Sequence, residues 1–465
     1  MKIVVAGAGA GKTTSMAQKV LDRLNEVIDG KIIYVITYTN SAKNRIKGKI
    51  TELHGTLPRQ VFVETSHAFL LREIIFPFYH LLYGQQFTKV SQIILSDNPG
   101  YKAMKIKELV ANKIIHVEKV TETAKWVVSR KTGDRSETNK RRERILQIIL
   151  KYLDSVFVDE AQDIDNHFAK IIEVLHSKGI NTYLVGDPKQ DLRGRNALTE
   201  LVNSYKEHVE YKPENNRCPI SHVNLANTFI PIMQRQFPQK ADLGTLSYVY
   251  ESEIGKEEIH DFVKGSDWDY VYISKKNDRF ITHANDRNET LSNLTYEIRQ
   301  IVKRTTIIDT DIDKWVFILV KNLLKDLNKE NNSEIFSKLQ KSLSIELTRQ
   351  DMGKLGEQLK IHREAHSNKG ILVNSIDSIK GLEGEKCLFI LTTDLTEYLF
   401  QTKKEQNKTL NYLYVALTRS KKELVFLVTH EVENKYGRII VDEKLEGLNI
   451  RMWSFAKPKD VLVLS

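Results

Sequence analysis

Nine residues, Ala6–Thr14 (AGAGAGKTT), constrain this chain more than any other stretch. They follow the apolar run Ile3–Ala6, which reads as a short buried parallel strand. They precede Met16, Val20, Leu24 and Val27, which recur at helical spacing. A glycine-rich turn between strand and helix lets successive backbone N–H groups point at one place, and the helix N-terminus adds partial positive charge there. Ala8, Gly9, Ala10, Gly11, Lys12, Thr13 and Thr14 are therefore expected to surround nucleotide phosphates, with Lys12 on the β/γ-phosphates and the Thr13 hydroxyl on Mg²⁺. Ala6 stands where the pattern has its first glycine, and a small residue fits there. A ligand-free strand–helix turn is the alternative, and the strand–loop–helix context weighs against it.

The rest of the chain extends this βα rhythm. Ile32–Ile36 and Val61–Val63 read as further strands, and strand signals return at Ser155–Val158 and Thr182–Val185. Between them, residues 73–150 are longer helical segments with a polar break at Lys131–Lys140. The second half repeats the plan, with strand-like runs at Tyr270–Ser274, Ile371–Asn374, Cys387–Leu391 and Leu424–Val428. Polar, helix-leaning sequence fills Phe280–Lys369, with Lys325–Asn332 as an exposed turn. The expectation is an α/β fold of two lobes, each with a mainly helical insert. Residues 1–72 and 151–210 form the first lobe around an insert at 73–150; 211–280 and 370–465 form the second around 281–369.

Composition narrows the partners. Seventy Lys+Arg against 60 Asp+Glu give a net charge of +10, and Tyr101–Lys151 alone holds 14 basic and 6 acidic residues, a local excess of +8. That excess suits a phosphate-backbone surface, although a solvated helical face explains a basic stretch equally well. Two cysteines, Cys218 and Cys387, make no disulfide framework and fit a reducing, cytoplasmic setting. The longest apolar pieces, such as Trp315–Val320, are strand-length and too short to span a membrane.

Val156–Asp163 (VFVDEAQD) ends a buried strand in two adjacent carboxylates, which calls for a metal or a cation nearby. Asp159 suits Mg²⁺, and Glu160 can activate an attacking water. An acidic helix start is the bland alternative.

From these residues onward the chain resembles superfamily 1 DNA helicases of the UvrD/Rep/PcrA type, with two RecA-like P-loop NTPase lobes. The motifs run in family order: Thr37–Ala42 (TYTNSA), Thr65–Phe69 (TSHAF), Gly186–Gln190 (GDPKQ), Asn215–Cys218 (NNRC), Lys380–Glu383 (KGLE) and Leu413–Arg419 (LYVALTR). Gln190 is placed to sit beside the γ-phosphate. Arg217 and Arg419 come from the second lobe, where two guanidiniums across an interlobe cleft would stabilise charge on the transferred phosphoryl. Either arginine alone reads as readily as a surface ion pair. The resemblance also implies that Gly381 and Glu383 contact phosphate and ribose. It implies that Tyr38, Thr39, Asn40, Thr65, His67 and Phe69 meet single-stranded DNA, with Tyr38 and Phe69 stacking on bases or, alternatively, packing in the core. Arg141, Arg142 and Arg144 are the expected backbone contacts of the basic insert.

Departures from the family touch nucleotide selectivity and, more heavily, the strand-gripping parts. Only five residues precede Ala6, where the family carries an upstream adenine-reading glutamine, and the Asp191–Gly194 segment (DLRG) lacks an aromatic. Asp377 stands where the family commonly has histidine. The compact build and Glu73–Phe78 (EIIFPF) resemble the helicase-like subunit of Gabija anti-phage systems, which implies an OLD-family, GajA-like nuclease subunit as partner. Two functions follow: an ATP- and Mg²⁺-dependent helicase or translocase on single-stranded or partly duplex DNA, or a DNA- and nucleotide-sensing ATPase that regulates a nuclease and unwinds little.

Overall fold

A computed structural model describes all residues except 29, 96–97, 256, 266, 283–285, 309–310, 328, 368–369 and 454–465. The expected insert boundary at 369 and the last twelve residues of the second lobe lie outside the described residues.

The first sheet contains β1 (Lys2–Ala6), β2 (Ile32–Thr37), β3 (Val61–Thr65), β4 (Leu153–Val158), β5 (Asn181–Gly186) and β6 (Val209–Lys212), in the order β3-β2-β4-β5-β1-β6. All neighbours are parallel. Every residue of β4 is buried, as is all of β1 after Lys2, the pattern of strands covered on both faces. Helix α1 (Lys12–Leu24) lays Met16, Ala17, Val20 and Leu21 into this core, and α2 (Asn40–His54) adds Ile46 and Ile50. The registers Val5↔Gly186 and Val158↔Leu184 bring the carboxyl ends of β1, β4 and β5 to one edge. That edge is where open α/β sheets bind ligands.

Apart from an edge strand at Phe280–Thr282, the second sheet runs β9 (Ile371–Ser375), β8 (Tyr270–Ile273), β10 (Gly384–Leu391), β11 (Ser420–Val428), β7 (Thr245–Tyr250), β12 (Arg451–Met452), with these neighbours again parallel. Its core stacks Tyr272 on Phe389 at 5.6 Å and sets Phe389 edge-on to Phe426 at 5.5 Å. Two parallel α/β sheets with helical insertions are the expected pair of RecA-like lobes.

The chain folds as two compact units: residues 1–87, 118–275 and 373–465 hold the lobes, and 88–117 with 276–372 form a helical unit. In the helical unit Ile94 N–H donates to Asn293 Oδ1 at 2.7 Å, tying the short segment to the longer one. Its core gathers Leu294, Ile298, Val316, Leu319, Leu339, Leu355 and Leu359. Trp315–Val320, strand-length by hydropathy, lies within the helix Ile312–Asp326 and leaves Phe317 exposed, because Val316, Leu319, Val320 and Leu323 share one buried face. Among the described residues no helix is long and apolar enough to cross a membrane.

Candidate active site

The turn after β1 needs left-handed backbone at Gly9 and Gly11, both at φ 71°. Gly11 is the N-cap of α1 and supplies no side chain, so the first-turn N–H groups have no cap of their own. The Lys12 ammonium folds back on the Ala6 and Gly7 carbonyls at 3.3 and 3.2 Å. Ala8–Thr14 line a cleft of about 480 Å³, together with Glu160 and Gln190. The opposite wall comes from the second lobe: Arg217, Gly381, Glu383 and Arg419. Residues spread over four hundred positions thus meet in one cavity.

Behind it the acid pair is tightly held. Asp159 is 3% exposed, and its Oδ1 has no hydrogen-bond partner among the described residues. Burial, then the charge of Glu160, raises its carboxyl above the ordinary range, against the pull of Lys12. Glu160 sits at φ 51°, a strained setting for a side chain of its size. Burial pushes the Glu160 carboxyl up, but the Lys12 ammonium and the 2.6 Å bond from Gln162 Nε2 win and lower it. Gln162 also accepts from the Asp187 N–H at 2.9 Å, linking the ends of β4 and β5. Gln190 donates to Asp187 Oδ2 at 3.0 Å, and Asp187 pairs with Lys189 at 2.7 Å. An unpartnered buried carboxylate oxygen beside the Thr13 hydroxyl's loop fits Mg²⁺, which takes few protein ligands and completes its shell with phosphate and water. Among the described residues there is no cluster of three His, Cys, Asp or Glu, so an all-protein cage is not offered.

Arg419, on the strand edge after α5 (Lys408–Leu417), is 1% exposed. Its guanidinium donates to Val415 O, Leu382 O and Thr418 Oγ1 at 2.9, 3.2 and 3.0 Å. Among the described residues no carboxylate pairs with it, and burial followed by the neighbouring Arg217 lowers its pKa to about 10. Arg217 is paired with Glu383 at 2.5 Å, and Glu383 also holds Lys421 at 2.9 Å. The ribose contact expected of Glu383 thus belongs to a side chain already in an ion pair.

The strand-binding candidates divide. Asn40, His67, Arg141 and Arg144 are exposed, and Tyr38 is half-buried with burial raising its phenol. Thr39 and Thr65 hydroxyls accept from Ala42 N and Ala68 N at 3.1 and 3.3 Å, so they cap the helices that follow. Two assignments are corrected. Phe69 is 1% exposed and lies edge-on to Tyr34 at 4.9 Å, so its ring is core rather than a base platform. Arg142 is 4% exposed and pairs with Asp134 at 2.6 Å while donating to Tyr83 and Asn139. It faces inward from α3 (Ser136–Tyr152) beside buried Ile145, Leu146 and Ile149, so it anchors the insert and reaches no phosphate backbone. The basic stretch is also divided between the units, with 101–117 in the helical unit and 118–151 in the lobe unit.

Sequence reasoning passed over three contributors. Arg45 on α2 lines the cleft and, with Lys12, works against the burial that raises the Asp159 carboxyl. Gln236 and Tyr414 meet the phosphate loop from the second lobe: Gln236 Nε2 donates to Ala8 O at 2.9 Å, and Ala8 N–H donates to Tyr414 Oη at 3.2 Å. Tyr414 was visible only as part of the LYVALTR motif, with no role of its own, and nothing in the pattern distinguished Arg45 or Gln236.

Residues 2–144 and 135–210 match the UvrD/REP helicase N-terminal domain, and 291–428 match the viral superfamily 1 RNA helicase core domain. The Gabija protein GajB of Bacillus cereus is 28% identical over 246 residues, 49% of this chain and 46% of that protein. The probable DNA helicase II homolog of Mycoplasma pneumoniae is 26% identical over 289 residues, 50% and 40% of the two chains. The chain therefore spans less than half the length of these curated relatives. A solved complex of Arterivirus nonstructural protein 10 (helicase) with DNA aligns at a TM-score of 0.36 and 10% identity, over 93% of this chain and 62% of that one.

Proposed function

We propose that this chain, which belongs to the superfamily 1 UvrD-like helicases, hydrolyses ATP in the interlobe cleft and uses the cycle to move on or separate DNA strands. The observation that carries this is Arg419: a buried guanidinium with no carboxylate partner among the described residues, on the wall facing the phosphate loop. Such a charge is costly until an anion arrives, and a triphosphate on Lys12 and the α1 N-terminus supplies one. Glu160, held in its ionised form by Lys12 and Gln162, takes the proton of the attacking water. Gln190, fixed by Asp187, orients that water, and Arg217 with Arg419 answers the charge that develops on the phosphoryl oxygens. Thr13 and Asp159 would hold Mg²⁺, which supplies neutralisation of the phosphate charge.

The finer reading is anti-phage defence with an OLD-family nuclease partner in the cytoplasm; the identity to the Gabija protein GajB supports it. Within it, a regulatory ATPase that unwinds little is favoured by the Asp191–Gly194 segment. Leu192 there is buried, and Asp191 is spent on the Arg193 and Asn196 N–H groups at 3.1 and 2.8 Å, leaving no ring for a strand to stack on.

The test is ATP turnover with and without single-stranded DNA, duplex ends and RNA, beside a strand-displacement assay. Lys12→Ala should abolish turnover in a folded chain; wild-type turnover in that variant would sink the proposal. Nucleic-acid-stimulated turnover without displacement would select the regulatory reading.

A further inference from the structure

Gln236 is a glutamine with every polar atom committed. It is 3% exposed and lies between α4 (Ile220–Asn227) and the short ladder that pairs Phe237 and Pro238 with Glu214 and Asn215. The Asn227 side chain holds its backbone on both sides, accepting from its N–H at 2.9 Å and donating to its carbonyl at 2.8 Å. Its amide then makes four contacts. Oε1 accepts from Tyr414 Oη at 3.0 Å and from Asn215 Nδ2 at 3.2 Å. Nε2 donates to Ala8 O at 2.9 Å and to Glu214 O at 3.5 Å.

The orientation of the amide follows from its neighbours. Asn215 Oδ1 is used by the Arg217 and Cys218 N–H groups at 3.0 and 2.9 Å, so only its Nδ2 is left to face Gln236, and that requires an oxygen there. Reversing the amide would set an oxygen against two carbonyls and a nitrogen against a donor. Tyr414 closes the ring by giving its proton to Gln236 and accepting from the Ala8 N–H. Asn216 adds a bond from its N–H to Gly9 O at 3.0 Å.

These bonds fall on one half of the phosphate loop. Residues 7–9 are gripped by the second lobe, while the N–H groups that open the α1 helix stay clear for phosphate. Close packing repeats the message: a Cβ on Gly7 would lie 2.3 Å from Gln236 Cδ and Nε2. Gly7 is therefore glycine to admit Gln236. Tyr414 lies five residues before Arg419, and Thr418 links the two: its hydroxyl donates to Tyr414 O at 3.0 Å and accepts from the Arg419 guanidinium at 3.0 Å.

We propose that Gln236 is a positioning residue that, with Tyr414, holds the first half of the phosphate loop against the second lobe and so sets the loop's shape for ATP. This rests on the assignment of the cleft as a site of ATP hydrolysis. A grip that acts on the loop before and during reaction changes nucleotide binding more than the chemical step, so its loss appears in KM rather than kcat.

The experiment is steady-state ATP hydrolysis by the full chain, with Lys12→Ala as control, for Gln236→Glu, Tyr414→Phe, Gly7→Ala, Gln236→Ala and the Gly7→Ala/Gln236→Ala pair. Gln236→Glu replaces the donor to Ala8 O by a carboxylate. Its KM should rise about tenfold at pH near 8, the scale of a buried carbonyl left unpaired. Acidification to about pH 5.5 should return KM toward the wild-type profile as the buried carboxyl takes a proton and donates again. A loss of fold would lower activity at both pH values and would not recover in KM. Gly7→Ala should raise KM alone but add nothing in the Gln236→Ala background, where the obstructing amide is gone. Tyr414→Phe, which removes one hydroxyl, should raise KM with little change in kcat. Unchanged KM in Gln236→Glu and Tyr414→Phe, or strict additivity of Gly7→Ala with Gln236→Ala, overturns the proposal. Normal turnover by Lys12→Ala would instead overturn the ATP assignment itself.

Discussion

Replacing Arg419 by methionine separates stability from catalysis. The buried guanidinium has its pKa lowered from the ordinary arginine value to about 10 by burial and by Arg217. That drop is a penalty of about 3 kcal/mol on the charged form, present at every pH below the lowered value. Met of similar length removes the penalty and fills most of the space. Against this, Leu382 O loses its 3.2 Å donor, at about 1–3 kcal/mol for an unpaired buried carbonyl. The two effects nearly cancel, so Arg419→Met should melt within a few degrees of wild type, unlike an ordinary truncation in a core this tight. Turnover should fall about 10³–10⁵-fold, the contribution of an arginine that answers transition-state charge. Relief of the same buried charge is also open to a bound triphosphate. Affinity for a non-hydrolysable analogue should therefore weaken by no more than about a hundredfold, the equivalent of that 3 kcal/mol. Thermal melts with and without analogue, followed by single-turnover hydrolysis, read both quantities. Destabilisation by 3 kcal/mol or more would show that the guanidinium is a structural anchor. A rate within about tenfold of wild type would remove it from the transition state.

Glu160→Gln should keep nucleotide binding, measured by calorimetry, and lose turnover, since the amide cannot accept the water's proton; normal hydrolysis would reduce Glu160 to a strained turn residue. Asp159→Asn should raise the melting temperature of the nucleotide-free protein above neutral pH. A raised carboxyl pKa means stability present in acid is lost as pH rises through it, so the gain should vanish toward pH 4, and a gain independent of pH would contradict the burial argument. Arg141→Glu with Arg144→Glu should weaken nucleic-acid binding uniformly and flatten its salt dependence, in titrations at several salt concentrations. Arg142→Glu should instead lower stability by about 3–5 kcal/mol, because it leaves Asp134 buried beside a second carboxylate; an unaltered melt would return Arg142 to the surface set.

Local chemistry was legible wherever a short stretch carries its own geometry. AGAGAGKTT states a strand, a left-handed glycine turn and a helix start within nine residues, and the structure has all three. VFVDEAQD likewise states a buried strand ending in acids. Val209–Lys212 and Thr245–Tyr250 escaped notice as strands because one is half-exposed and the other interleaves Thr, Ser and Tyr with its apolar residues, so neither shows the continuous apolar run of a buried strand. Arg142 shows the opposite failure. Its charge placed it on the surface, yet its position on α3 turns it inward, where Asp134, Tyr83 and Asn139 satisfy it.

By itself, the sequence determined the two α/β lobes, the phosphate loop and the identities of the acids and arginines that face it, because each is written in contiguous residues with a local period or turn requirement. Tertiary structure alone decided which polar groups share a cavity. Ala8, Gln236 and Tyr414 stand hundreds of positions apart, and no spacing rule relates an amide on one lobe to a glycine on the other. Burial was likewise a tertiary matter: whether Arg419 is a balanced surface charge or a buried one depends on the side chains folded around it, and the cost of that burial is what the proposed triphosphate would relieve.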